Sequence, residues 1–264
     1  MRIVVKAAAL GMAAAACLGM GNHAQVVAVY PSGARVPANL LRVSIAFDRP
    51  PHAPVLPRLA LEGAQLEPGQ APFLDQALWT PDGRILTVLF DPGRLKTGVG
   101  ANERLGRVLR EGEAVTLELD GRALKRWEVA AADTVGPHPE RWTVQPPETG
   151  SLAPVVVVLD APIDMLDQDL VAVVSPGGQP LDGRIELAQG EQRWSFAPKI
   201  AWQPGRYRIL VSPELEDAAG NAVARPFEVK GPVTPARRLE PVTLDFVVSA
   251  GIPRSRVAGR NGDD

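Results

Sequence analysis

Three histidines are the scarcest acid–base and metal-binding candidates in this 264-residue chain: His23, His52 and His138. His52 sits in Arg49-Pro-Pro-His-Ala-Pro54 and His138 in Gly136-Pro-His-Pro139. Both settings are rich in turn formers, so both side chains are expected on exposed loops. Neither has a second His three or four residues away, or a nearby Cys, as a zinc site commonly does. No base is therefore paired with a nucleophile by spacing. No Ser sits in a Gly-x-Ser-x-Gly turn, and no Gly-rich loop ends in Gly-Lys-Ser/Thr to cradle a phosphate.

Carboxylates form two groups. Asp164, Asp167 and Asp169 are close in sequence. A hard cation such as calcium needs several oxygens from a constrained loop. Here the spacing of a twelve-residue calcium loop and its Gly are missing, so a solvated loop capping a short helical turn is expected. Glu214, Glu216, Asp217 and Asn221 form the second group. Asp217 can accept backbone N–H groups, Gly220 permits positive φ, and Asn221 tolerates the left-handed region, which together describe a turn. A glycosidase would need two carboxylates facing each other across a cleft. No catalytic residue, metal ligand or cofactor is assigned from these patterns.

Aromatic stacking and basic loops offer binding rather than chemistry. The tryptophans are Trp79, Trp127, Trp142, Trp194 and Trp202. Most are expected in the protein's interior, because large aromatic rings are the natural filling of a core. Trp202, beside Gln203-Pro-Gly205, is expected to be partly exposed. Lys96 to Arg110 reads as a loop-like insertion with Gly98, Gly100 and Gly106. Loops on a rigid scaffold are where function is grafted. Trp202, Arg104 and Arg107 are the candidate ligand contacts.

The elements that must position these residues are strands, arranged twice. Val43-Ser-Ile-Ala-Phe-Asp48 reappears as Val155-Val-Val-Val-Leu-Asp160. Leu89-Phe90-Asp-Pro92 matches Ser195-Phe196-Ala-Pro198, Gly112 to Leu119 matches Gly205 to Val211, and Trp127-Glu-Val129 matches Phe227-Glu-Val229. The order is kept while the spacing falls, which places an insertion near 95–109 in the first copy. Arg42 to Phe47 alternates with a period of two, and Val155 to Leu159 is continuously apolar. Turn signals such as Pro81-Asp-Gly83, Pro176-Gly-Gly178 and Asp182-Gly183 separate the runs. Copies of about 100 residues built this way have the size of an immunoglobulin-like sandwich. The domains are expected at 25–132 and 139–232, joined by Asp133 to Glu140. An added strand and a disordered tail are expected within 233–264, with Val242, Leu244, Phe246 and Val248 alternating in the strand.

The N-terminus reads as a signal peptide over 1–24. Arg2 and Lys6 precede an Ala-rich apolar run too short to span a bilayer. Cys17, the only cysteine, suggests a lipid anchor as a second possibility, although Ala14 stands where such signals usually carry Leu. The expected location is therefore periplasmic or secreted, with no transmembrane helix after signal removal. The chain carries 26 Pro, 25 Gly and a formal charge of −2. The first two counts disfavour a long-helix bundle. The third gives no basic excess to neutralise a nucleic acid.

Trp202-Gln-Pro-Gly-Arg-Tyr207, followed by Leu215-Glu-Asp217-Ala-Ala-Gly220-Asn221, resembles the bacterial Ig-like domains of the S-layer protein type. The second copy carries the Pro-Gly turn, the Tyr-bearing strand and the closing Asp-x-x-Gly-Asn turn of that family. In the first copy Val115 holds the Tyr position, and Asp120-Gly121 stands without the Gly-Asn pair. The resemblance implies two tandem all-β Ig-like sandwiches in an exported protein, and such domains usually act as spacers or adhesive modules. It transfers no active site.

These readings favour a non-catalytic envelope module that contacts a protein or polysaccharide. The alternative is a hydrolase or accessory subunit using the first-domain insertion or an interdomain cleft. A calcium-stiffened spacer is a third. Clustered carboxylates with shifted pKa values between the domains would overturn the first.

Overall fold

The computed structural model describes residues 24–95, 100–223, 225, 227 and 240–250. The expected signal segment before Ala24, Cys17, Lys96 and the expected tail lie outside the described residues. Among the described residues, no helix is long and apolar enough to cross a membrane.

The first sandwich contains β1 (Val26–Tyr30), β2 (Arg35–Pro37), β3 (Arg42–Phe47), β4 (Leu59–Glu62), β5 (Leu78–Trp79), β6 (Ile85–Leu89), β7 (Ala114–Leu119) and β8 (Arg122–Ala130). One sheet runs β1-β3-β6-β5 and the other β2-β8-β7-β4. The opening segment is split between the sheets. β1 pairs antiparallel with β3, then β2 joins β8 in parallel. Alternating side chains such as Val43, Ile45, Leu86, Val88, Val115, Leu117 and Trp127 meet in one buried core. Asp120 and Gly121 both have positive φ and close the β7–β8 hairpin, as the Asp-Gly signal predicts.

The second sandwich contains β9 (Thr143–Gln145), β10 (Val155–Val158), β11 (Val171–Val174), β12 (Gly183–Ala188), β13 (Arg193–Pro198), β14 (Gly205–Val211) and β15 (Val242–Val248). Its sheets are β12-β13-β10-β9 and β11-β14-β15. A separate core gathers Val155, Val157, Trp194, Phe196, Trp202, Tyr207, Ile209 and Phe246. Two antiparallel sheets over one core, with four strands facing three, is the immunoglobulin constant-type arrangement. The fold is all-β, two tandem Ig-like sandwiches.

One boundary differs from the sequence reading. β15 pairs with β14 along its full length, from Gly205↔Val248 to Val211↔Val242. It is the closing strand of the second sandwich, not an addition beyond Pro232. Phe246, opposite Tyr207, therefore occupies the place that Trp127, opposite Val115, holds in the first sandwich. The match of Trp127 to Phe227 was the wrong one. A chance Phe-Glu-Val string imitated the repeat, while the true partner lay beyond a long connection.

The connections also differ. The first sandwich joins β6 to β7 through residues 90–113, where α1 (Pro92–Leu95) and α2 (Gly100–Leu105) lie. The second joins β13 to β14 through 199–204 alone. Its own long connection, 212–241, falls between β14 and β15. The interdomain segment is held along its length. Asn39 Nδ2 donates to the Asp133 carbonyl at 2.6 Å, and the Asp133 N–H donates to Asn39 Oδ1 at 2.8 Å. At Gly136 a Cβ would lie 2.4 Å from the Ala222 carbonyl oxygen, so only Gly allows that approach.

Candidate functional site

Arg42 opens β3 at the seam between the sandwiches. Its Nε donates to Asp164 Oδ2 at 2.6 Å, and its Nη2 donates to the Glu216 carboxylate. Asp164 caps the short 3-10 turn Met165–Leu170 by accepting the Leu166 N–H at 2.8 Å. That capping matches expectation. The expected solvation does not, because Asp164 is buried and its other oxygen meets Arg42. Asp167 accepts the Glu216 N–H at 2.9 Å. Burial works against the Arg42 charge, yet Asp164, Glu216 and Asp167 outweigh it and hold the guanidinium above its ordinary value. Burial pushes the Asp167 carboxyl up.

Glu191 forms a second bridge. It follows β12 in a tip where Gln189, Gly190 and Glu191 stand at φ 54°, 65° and 62°. A buried non-Gly residue there is strained and needs outside support. Ser32 of the first sandwich supplies it, donating its N–H to Oε2 at 2.9 Å and its hydroxyl to Oε1. Burial raises the Glu191 carboxyl and also the neighbouring Tyr30 phenol. The seam closes through a backbone bond, Leu41 N–H to the Ala218 carbonyl at 2.9 Å.

The Asp217 turn completes the joint. Asp217 Oδ1 accepts the N–H groups of Ala219 and Asn221, and Oδ2 accepts Asn221 Nδ2. Asn221 Nδ2 also reaches the Asp133 carbonyl at 3.2 Å. Gly220 has φ 83°, and a Cβ there would press Leu41 at 2.7 Å. Burial pushes the Asp217 carboxyl up to about 7. The turn expected from Asp217, Gly220 and Asn221 is thus present, and it is packed against the first sandwich. Among the described residues, no group of three or more His, Cys, Asp and Glu side chains is placed to hold a metal.

A cluster of carboxylates with raised pKa values does lie between the domains, the feature expected to overturn a non-catalytic module. Its surroundings limit it. The cavity among Tyr30, Arg42, Ser44, Asp164 and Glu191 measures about 20 Å³. That is room for one water molecule, not for a sugar ring or a peptide bond.

The sequence-derived ligand contacts separate in space. Trp202 is 1% exposed, which overturns its assignment as a surface contact. Its indole N–H donates to the Ala153 carbonyl at 2.8 Å, and its ring meets Phe196, Tyr207 and Phe246 edge-on. The Tyr207 hydroxyl donates to the Gln203 carbonyl and accepts the Gln203 N–H, the tyrosine corner of such sandwiches. A Pro-Gly turn beside Trp202 suggested a loop surface; the corner folds the indole inward instead. Trp79, at 38%, is the exposed one, lying 6.0 Å from Phe47 between ring centroids. Arg104 is exposed on α2, while Arg107 is half-buried with Nε 3.4 Å from the Leu95 carbonyl. His52 is exposed in its loop, and His138 is half-exposed with Nδ1 3.1 Å from Glu140.

Just before the insertion, a buried residue carries no sequence signal. Arg94 is 2% exposed and donates to the carbonyls of Gly106, Gln65 and Leu105 and to the Gln70 side chain. It ties α1 to the loop after β4. Arg42, Glu191 and Ser32 were also missed. Each lies in an ordinary strand or turn pattern, and its partner is more than a hundred residues away.

No family model matches the chain, and no curated protein matches it. Solved structures give remote likenesses. An L,D-transpeptidase from Mycobacterium smegmatis is 12% identical over 62% of this chain and 61% of that one, with a TM-score of 0.26. The chain therefore spans about three-fifths of that structure. Domains 5–6 of the S-layer protein SbsC are 11% identical over 86% of this chain and 97% of theirs, with a TM-score of 0.24. The insect immune protein hemolin is 12% identical over 86% and 53%, again at 0.24. The assignment as tandem Ig-like sandwiches rests on the chain's own strand pairing and two cores.

Proposed function

We propose that the chain is an exported, non-catalytic binding or structural module of the cell envelope. Its two sandwiches, joined at a tied seam, would present their outer surfaces to an envelope protein or polysaccharide. The observation that carries this reading is the seam itself. Arg42, Asp164, Asp167, Glu191, Glu216 and Asp217, the residues best suited to chemistry, are engaged with one another or with backbone N–H groups across or beside the joint. Charges so used fix geometry. The signal-like N-terminus supports export.

A hydrolase remains the second reading, favoured by the raised carboxyls of Asp167 and Glu191. Two measurements separate the readings. Cross-linking of the chain in intact envelopes should capture a defined partner. Incubation with envelope polysaccharides and peptides should release no new reducing ends or amines. Turnover abolished by Glu191→Gln or Asp167→Asn, in a chain that still folds, would overturn the proposal.

A further inference from the structure

β1 and β8 meet at one end and part at the other. They touch where the Trp127 indole N–H donates to the Pro31 carbonyl at 2.9 Å and Lys125 Nζ donates to the Ser32 carbonyl at 2.6 Å. Beyond that point β1 stays with β3 in one sheet, while β8 stays with β7 in the other. The split leaves a groove of about 900 Å³, lined by Ala24 to Val29 on one side and by Leu119, Asp120, Arg122 to Lys125 and Arg58 on the other. β2 covers β8 only at Glu128 to Ala130. Among the described residues, no strand pairs with the outer edge of β1 or with the outer edge of β8 from Arg122 to Trp127. Edges of this kind present backbone donors and acceptors that can template another strand. A six-residue strand is about 20 Å long, which suits edges of five and six residues.

Charge selects the occupant. Arg58 pairs with Asp120 at one end. Arg122 and Lys125 remain as the other charged side chains of the lining, which is therefore net positive. The inward residues Val26, Val29, Leu119 and Leu124 are apolar. Two copies facing each other along this edge would bring like charges together, which disfavours self-pairing. An extended segment with acidic residues on the rim side and apolar residues inward satisfies the edges, the floor and the charge at once.

We propose that the groove between β1 and β8 accepts a strand from a partner protein whose apolar residues alternate with Asp or Glu. This rests on the binding-module reading and names its surface and partner chemistry. The test is to pan a displayed library of random decapeptides against the full chain, then to measure binding and amide hydrogen exchange with the enriched peptide. The enriched sequences should alternate apolar and acidic residues. The peptide should slow exchange at residues 24–29 and 122–127. Arg122→Glu, at an exposed position, should weaken binding about tenfold, and a peptide with Lys for its acidic residues should restore it.

Lack of enrichment, a non-acidic consensus, or protection elsewhere overturns the proposal. So does full protection of these amides in the free chain, which would mean that its own residues cover the edge. Protection that grows with protein concentration would point to a second copy, and binding of a sulfated polysaccharide without amide protection to a surface charge patch; either overturns it. A chain that cross-links to an envelope partner while these amides stay unprotected keeps the module reading and loses the groove.

Discussion

Asp217 shows how one side chain can make a fold sensitive to pH. Burial pushes its carboxyl up to about 7, although three N–H groups point at it. The folded chain then holds a proton that the unfolded chain releases near the ordinary carboxylate value. Stability from this group is complete below about pH 4 and declines as pH rises to about 7. The full shift corresponds to about 4 kcal/mol. Asp167 and Glu191, also raised by burial, act in the same direction. Asp48, Asp82, Asp120 and Asp245, held low by hydrogen bonds, give the opposite slope only below about pH 4. Urea unfolding should therefore show greater stability at pH 5 than at pH 7.5, and Asp217→Asn should flatten that difference. An unchanged slope in the variant would place the proton elsewhere. The residue was legible as a turn former from Asp-x-x-Gly-Asn. Its burial was not, because the surface that covers it comes from Leu41 and Asp133 of distant segments.

At the scale of elements, the strands were legible wherever one face is buried. Val43 to Phe47 and Val155 to Leu159 show it, since periodicity records burial directly. Strand pairing was less legible. β15 was visible from Val242, Leu244, Phe246 and Val248, yet its place beside β14 was not, because the long 212–241 connection hides a neighbour that the Asp120-Gly121 hairpin makes plain in the first sandwich. The position of Phe246 gives this a measurable consequence. It is 5% exposed, stacks on Tyr207 at 5.4 Å and meets Trp202 at 5.8 Å. Phe246→Ala should cost about 3–5 kcal/mol, the range for a buried aromatic. An appended strand outside the core would lose well under half of that in chemical denaturation.

The whole molecule is held by contacts that sequence spacing could not disclose. Among the described residues, three side-chain bridges connect the sandwiches beside the Leu41–Ala218 backbone bond: Arg42 to Asp164 and Glu216, Ser32 to Glu191, and Asn39 through Asp133 to Asn221. Each partner lies on a different loop or strand end, so only the packed pair brings them together. Arg42→Ala alone leaves Asp164 buried without its cation and should cost about 2–3 kcal/mol. That is below the ~3–5 kcal/mol of a fully buried pair, because Glu216 keeps 33% of its side chain in water. The other two bridges should still couple the domains. Calorimetry of the native chain should then show a single transition, since each sandwich loses stabilising contacts when the other unfolds. Combining Arg42→Ala, Ser32→Ala and Asn39→Ala removes a side chain from each bridge while sparing both cores. The transition should split in two, and the sandwiches should tumble with separate correlation times in NMR relaxation. Two transitions already present in the native chain would mean that the seam carries little energy, and the polar groups within it would need another explanation.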